Sequence, residues 1–235
     1  MPVDKSGSRV RQMFGEIAGR YDFLNHLLSA GIDRSWRRRT VRLVPPRDGG
    51  PVLDVCTGTG DLALEYWRRA GQRLAVVGAD FCRPMLRIGG EKIRRAGADR
   101  DIVMLEADAQ QLPLAGETFE IVCVAFGLRN VGDTDRALRE MARVCRAGGR
   151  VAVLEFSMPR GWFGKAYRAY FRHVLPRIGQ ALARNRQSAY NYLPESVGEF
   201  AQGEELLGRM EQAGLRATRM HRFTFGIATL YVGEK

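Results

Sequence analysis

A chain of 235 residues, 45% hydrophobic and 27% charged, is long enough to bury one sizeable core and has a globular balance, which excludes a disordered or fibrous protein. Its longest apolar run, Ile121 to Leu128, falls well short of the roughly 20 residues that span a bilayer, and Met1 to Ser6 has no signal-like apolar core. The expectation is a cytoplasmic protein, free to reach the inner membrane face, whose net charge of +11 favours anionic partners without choosing among headgroups, phosphates and nucleic acid.

Residues 1–45 carry helical segments with Phe14, Tyr21, Leu24, Leu27 and Trp36, read as a cap over one end of a sheet. In residues 46–156, short Val/Ile/Leu-rich runs alternate with segments of helical period, the pattern of a parallel sheet covered on both faces. Strands are predicted at 51–56, 74–80, 102–107, 119–126 and 150–156. Between them run helices from Asp61 to Ala70, from Pro84 towards Gly97, and one capped by Thr134 and closed by a Gly148-Gly149 turn. Residues 157–200 are read as a substrate lid. In 201–235 a helix with Leu206, Leu207, Met210 and Ala213 precedes two β-like runs, 216–224 and 227–233, that pair as an antiparallel hairpin. All this is expected to form one domain. Cys56, Cys82, Cys123 and Cys145 show no Cys-x-x-Cys pairing, so they read as reduced core thiols and no metal site is assigned.

The strand Pro51 to Cys56 runs into Thr57-Gly58-Thr59-Gly60-Asp61 and directly into a helix, so Gly58 and Gly60 let the backbone approach a ligand. Asp80, at the tip of the next strand, can accept hydrogen bonds from both hydroxyls of a ribose. Gly58-x-Gly60-x-x-Ala63 followed by an acid also fits a nicotinamide dinucleotide site. Three features favour S-adenosylmethionine instead. Asp61 would set negative charge against a pyrophosphate on the helix N-terminus, Asp108-Ala109 can read an adenine edge, and the chain ends in a hairpin. The one Tyr-x-x-x-Lys match that a hydride enzyme of that type would need, Tyr231 and Lys235, lies in the terminal strand.

Several motifs carry a resemblance. They are Tyr21-Asp22-Phe23-Leu24-Asn25 with Ser29, Gly31 and Arg34-Ser35-Trp36-Arg37; Val52-Leu53-Asp54 with Gly58-Thr59-Gly60-Asp61; Ala125-Phe126-Gly127-Leu128-Arg129-Asn130-Val131; Leu154-Glu155-Phe156-Ser157; and Tyr190-x-Tyr192-Leu193-Pro194-Glu195-Ser196. With the ending Gly226-Ile227 to Lys235, the chain resembles the ubiquinone/menaquinone biosynthesis C-methyltransferases over nearly its whole length. The resemblance implies an α/β class I S-adenosylmethionine-dependent methyltransferase fold, Rossmann-like, with a seven-stranded, mostly parallel sheet whose last strand is reversed. It implies cofactor contacts from Gly58, Thr59 and Gly60 in the loop, Asp80 at the ribose, and Asp108 with Ala109 at the adenine. Departures are Ala125, where many relatives have Ser, Ala147 where Pro is usual, and Met158 where Lys is common.

The implied reaction is methylation of a ring carbon of a polyprenylated quinol. The quinol's phenolate pushes charge onto the adjacent carbon, Arg129 stabilises that phenolate, and Asn130 and Tyr21 orient it. From Arg160 to Arg186 there are seven Lys or Arg and no acid, interleaved with Trp162, Phe163, Tyr167, Tyr170 and Phe171, a segment suited to lie on an anionic membrane. The rival readings are an RNA methyltransferase, weakened by the lack of an appended recognition motif, and a nicotinamide oxidoreductase. No nucleic-acid partner is expected, and the assembly state is left open, a homodimer included.

Overall fold

A computed structural model describes residues 6–20, 29, 31–47, 49–159, 164 and 189–235. Seven strands form one sheet: β1 (Val52–Val55), β2 (Val76–Asp80), β3 (Ile102–Glu106), β4 (Phe119–Ala125), β5 (Cys145–Phe156), β6 (Arg216–Phe223) and β7 (Ala228–Glu234). Their order is β3-β2-β1-β4-β5-β7-β6, with every pairing among the first five parallel and both pairings of β7 antiparallel. The seven strands and the reversed last one are as expected.

The helices are α1 (Gly7–Ile17), α2 (Ile32–Leu43), α3 (Asp61–Arg69), α4 (Arg83–Arg95), α5 (Thr134–Val144), α6 (Ala189–Glu199) and α7 (Glu204–Gln212). β4 shows why both faces of the sheet need cover. Ile121, Val122, Cys123 and Val124 are all fully buried, so successive side chains enter opposite cores. Val122 and Val124 join Leu138, Met141 and Met210 of α5 and α7, whereas Ile121 and Cys123 join Trp36, Tyr66 and Ile93 of α2, α3 and α4.

Two expectations shift. α5 is capped by Asp133, not Thr134: the Asp133 carboxylate accepts from the Arg136 amide at 2.9 Å, and Thr134 is already helical. β5 begins at Cys145 and not at 150, because Gly148 and Gly149 form an irregularity inside the strand, between the pairs Phe119↔Cys145 and Ile121↔Arg150. Of the stretch read as a lid, residues 160–163 and 165–188 lie outside the described residues.

The chain runs β1, β2, β3 outward on one side of β1 and returns to β4 on the other. The carboxyl ends of β1 and β4 therefore flank the point where the winding reverses, the place where open parallel sheets bind ligands.

Candidate active site

At that switch point lies a cavity of about 290 Å³, lined on one side by Cys56, Asp80, Phe81, Asp108, Ala109 and Gln110 and on the other by Gly127, Asn130 and Val131. Gly7 and Phe14 of α1 lie over it.

The loop after β1 is held from beneath and from the side. Asp54, buried, accepts from the Thr57 hydroxyl at 2.6 Å and from the Ala63 amide at 3.2 Å, so one carboxylate ties both ends of the bend. Its burial raises the carboxyl pKa to about 7 against the pull of those two bonds. Gly58 and Gly60 take φ of +56° and +79°, which a side chain resists. Asp80 then fastens the loop to β2, one carboxylate oxygen accepting from the Gly58 amide at 2.9 Å and the other from the Cys82 amide at 2.8 Å. Burial raises its pKa while these amide bonds oppose the shift. Each oxygen keeps a further lone pair for a ligand on the cavity side.

Not every predicted cofactor residue faces the cavity. Asp80, Asp108 and Ala109 line it. The Thr59 hydroxyl accepts from Lys92 Nζ at 3.1 Å, turned to α4, and Thr59 is buried. The same ammonium pairs with Asp61 at 2.5 Å, and Arg37 approaches Asp61 at 3.5 Å. Two cations therefore offset the charge of Asp61, which weakens it as an argument against a pyrophosphate.

Gln110 was missed by sequence reasoning. Its side-chain amide donates to the Asp108 carboxylate at 3.1 and 3.2 Å, and its carbonyl accepts from the Asp133 amide at 2.9 Å. A glutamine directly after an Asp-Ala pair at a strand end is the available signal. Cys56 also lines the cavity, but burial first, and then the charges of Asp80 and Asp54, push its thiol pKa well up, so it is no thiolate nucleophile.

Across the cavity, the chain leaves β4 through Phe126 and Gly127 into the short turn Leu128–Asn130. A Cβ on Gly127 would stand 2.4 Å from Cβ of Cys56, so only glycine lets this turn close against the cofactor loop. Arg129 is buried at 5% exposure, and its Nη1 donates to Glu155 Oε2 at 2.9 Å and to the Phe126 carbonyl. Glu155, fully buried, also accepts from the Arg129 amide at 3.2 Å. The guanidinium lies 5.3 Å from the Phe156 ring centroid, and Phe156 packs on Phe126 and Trp36 with centroids 4.5 and 6.0 Å away. The Arg129–Glu155 ion pair is thus buried. Asn130 reaches the cavity wall, and Tyr21 lies outside the described residues.

The profile of the ubiE/COQ5 methyltransferase family matches residues 3–235. The Geobacter sulfurreducens protein named ubiquinone/menaquinone biosynthesis C-methyltransferase UbiE is 47% identical over 234 residues, covering 99% of this chain and 91% of that one. The Deinococcus radiodurans demethylmenaquinone methyltransferase is 47% identical over 231 residues, 97% and 93% of the two chains. Among solved structures, a Thermotoga maritima S-adenosylmethionine-dependent methyltransferase superposes with a TM-score of 0.66 over 95% of this chain and 99% of its own, at 18% identity, which speaks for the fold alone.

Proposed function

The chain belongs to the ubiE/COQ5 methyltransferase family and is an S-adenosylmethionine-dependent methyltransferase, and on that premise we propose that it methylates a ring carbon of a polyprenylated quinol, a demethylmenaquinol or the corresponding ubiquinol precursor. The observation that carries the reading is the buried Arg129–Glu155 pair on the turn that closes the cavity opposite Asp80. A fixed cation beside the acceptor side is what a developing phenolate needs.

The donor's fit rests on the cavity itself. The Asp80 carboxylate and the Asp108-Ala109 edge, which line the cavity, suit a ribose and an adenine, and the Gly58-Thr59-Gly60 bend, fastened to Asp80 but outside that lining, is the proposed cradle for the amino acid. When bound, the donor supplies an electrophilic methyl on a sulfonium. The chain's own work is to hold the acceptor in line at about 3–3.5 Å.

The Arg129 guanidinium has donors and no acceptor, so it does not take the phenolic proton. Its charge, fixed by Glu155, lowers the phenol's affinity for that proton, which passes to water, and Asn130 and Tyr21 orient the ring oxygen. The oxidised quinone, with no hydroxyl to ionise, is not a substrate.

Residues 157–200 act as a lid, and the basic aromatic segment from Arg160 to Arg186 rests on the anionic inner membrane face, letting the headgroup enter while the prenyl tail stays in lipid. The test is an assay of purified protein with labelled donor and the two quinol classes side by side, each reduced and oxidised. Label on a reduced quinol alone supports the reading, and label on neither class overturns it.

A further inference from the structure

Among the described residues six buried side-chain polar atoms have no hydrogen-bond partner, and three of them belong to two elements in contact, the turn after β4 and α6. Arg129 Nε and Asn130 Oδ1 are neighbours in the turn after β4. The third is the hydroxyl of Tyr192, on α6, which packs directly against that turn. The remaining three, on Thr40, Tyr66 and Arg150, lie on α2, α3 and β5.

A buried polar group without a partner gives up hydration for nothing, so isolated cases are few and a cluster calls for an occupant. The three atoms specify one. Nε needs an acceptor, Oδ1 needs a donor, and a phenol can do either. A ring hydroxyl answers all three demands, accepting from Nε and from the Tyr192 hydroxyl and donating to Oδ1, and the phenolate it becomes keeps the two donors. Tyr192 is 8% exposed, and burial raises its pKa above the usual tyrosine value, with the neighbouring Arg129 and Glu155 charges acting in opposite directions, so it enters the site as a neutral hydroxyl.

We propose that Tyr192 is a further acceptor-binding residue, whose hydroxyl bonds an oxygen of the phenolic ring held against Arg129 Nε and Asn130 Oδ1. The proposal rests on the phenolic-acceptor reading above and gives the Tyr192-Leu193-Pro194-Glu195-Ser196 motif a chemical role. Buried water is the rival occupant, since it too can bridge three polar atoms.

Tyr192→Phe separates the possibilities, because it removes only the unpartnered atom. With no ligand present the variant should melt at the wild-type temperature or a few degrees above it, as a buried hydroxyl with nothing to bond has been deleted. Its affinity for S-adenosylhomocysteine should be unchanged. Its kcat/KM for the reduced quinol should fall by about 10- to 100-fold, the loss expected for one hydrogen bond to a group gaining charge.

A readout independent of turnover uses 1-naphthol, an unreactive phenol, titrated calorimetrically into wild type and variant, each saturated with S-adenosylhomocysteine. Weaker binding to the variant, by about 3- to 10-fold for a neutral bond, supports the role even if wild type proves inactive on quinols, a result that would fail the quinol reading alone. Equal naphthol binding to both proteins, no binding to wild type, or a lowered melting temperature in the variant overturns it.

Discussion

The two walls of the cavity are built on opposite plans. On the donor wall, the charged groups are spoken for by the protein's own amides and hydroxyls: Asp54 by Thr57 and Ala63, Asp80 by Gly58 and Cys82, Asp108 by Gln110. Behind the acceptor wall, whose lining includes Asn130 but neither Arg129 nor Tyr192, the ion pair of Arg129 and Glu155 is buried, yet Arg129 Nε, Asn130 Oδ1 and the Tyr192 hydroxyl are left without partners. A wall complete in itself can hold one ligand shared by a whole fold class. A wall with open valences fits only the chemistry that closes them, which is where a family's specificity resides.

Arg129→Leu breaks the acceptor wall most severely. It leaves Glu155 charged and buried, so unfolding free energy should drop by about 3–5 kcal/mol, and turnover should fall by about 10²–10³. The double replacement Arg129→Leu with Glu155→Leu removes both charges and should recover most of the stability while staying inactive. Denaturant titration and steady-state rates on the three variants test this. Recovery of turnover in the double variant would show that the cation is structural.

Asp80→Asn addresses the opposite wall. The asparagine can still accept one loop amide but no longer offers a charged oxygen pair to a ribose, so S-adenosylhomocysteine should bind about 10- to 100-fold more weakly, with the quinol KM at saturating donor unchanged. Calorimetry gives the first value and steady-state kinetics the second. An equal loss on both would mean that the walls do not act separately.

The donor wall is also the more legible in the sequence. Glycines at 58 and 60 and an acid at the next strand tip answer to backbone geometry, which is local, so the residues show their purpose by spacing. Thr59 and Asp61 are the exceptions, because their partner Lys92 arrives from α4, some thirty residues on. The acceptor side depends on meetings between separate elements. Arg129 finds Glu155 at the end of the neighbouring strand, and α6 comes to the same turn from beyond both. No periodicity announces such contacts. Only the resemblance to a family pointed to them, and it named Arg129 and Asn130 while leaving Tyr192 as an unassigned part of a motif. The shifted start of β5 has a comparable cause, since two glycines mark a bulge and a turn alike.

The donor wall carries a cost that pH can reveal. Asp54 titrates near pH 7 in the folded protein and near 3.9 when unfolded, so between those values the folded state keeps a proton that the unfolded state has released. Stability from this group is therefore fully present below about pH 4 and lost as pH rises through 7. Asp80, raised in the same direction, adds to the trend. Asp54→Asn, which preserves an acceptor for Thr57 and Ala63, should flatten the decline between pH 5 and 8 by about 1–3 kcal/mol in denaturant midpoint analysis. A slope identical to wild type would mean that Asp54 is already ionised across that range.

Gln110 offers the smallest effect and the sharpest test of separateness, because it is bonded both to the donor wall and to the loop that follows the acceptor turn. Its amide holds Asp108, and its carbonyl holds the Asp133 amide just past the acceptor turn. Gln110→Ala frees an exposed carboxylate to rotate and removes one bond to the loop, a change of about 0.5–1 kcal/mol, or roughly 2- to 5-fold in S-adenosylhomocysteine affinity. If the walls are independent, the quinol KM should stay fixed while donor affinity slips. If the loop at 131–133 instead transmits the donor wall's order to Asn130, the quinol KM should rise as donor affinity falls.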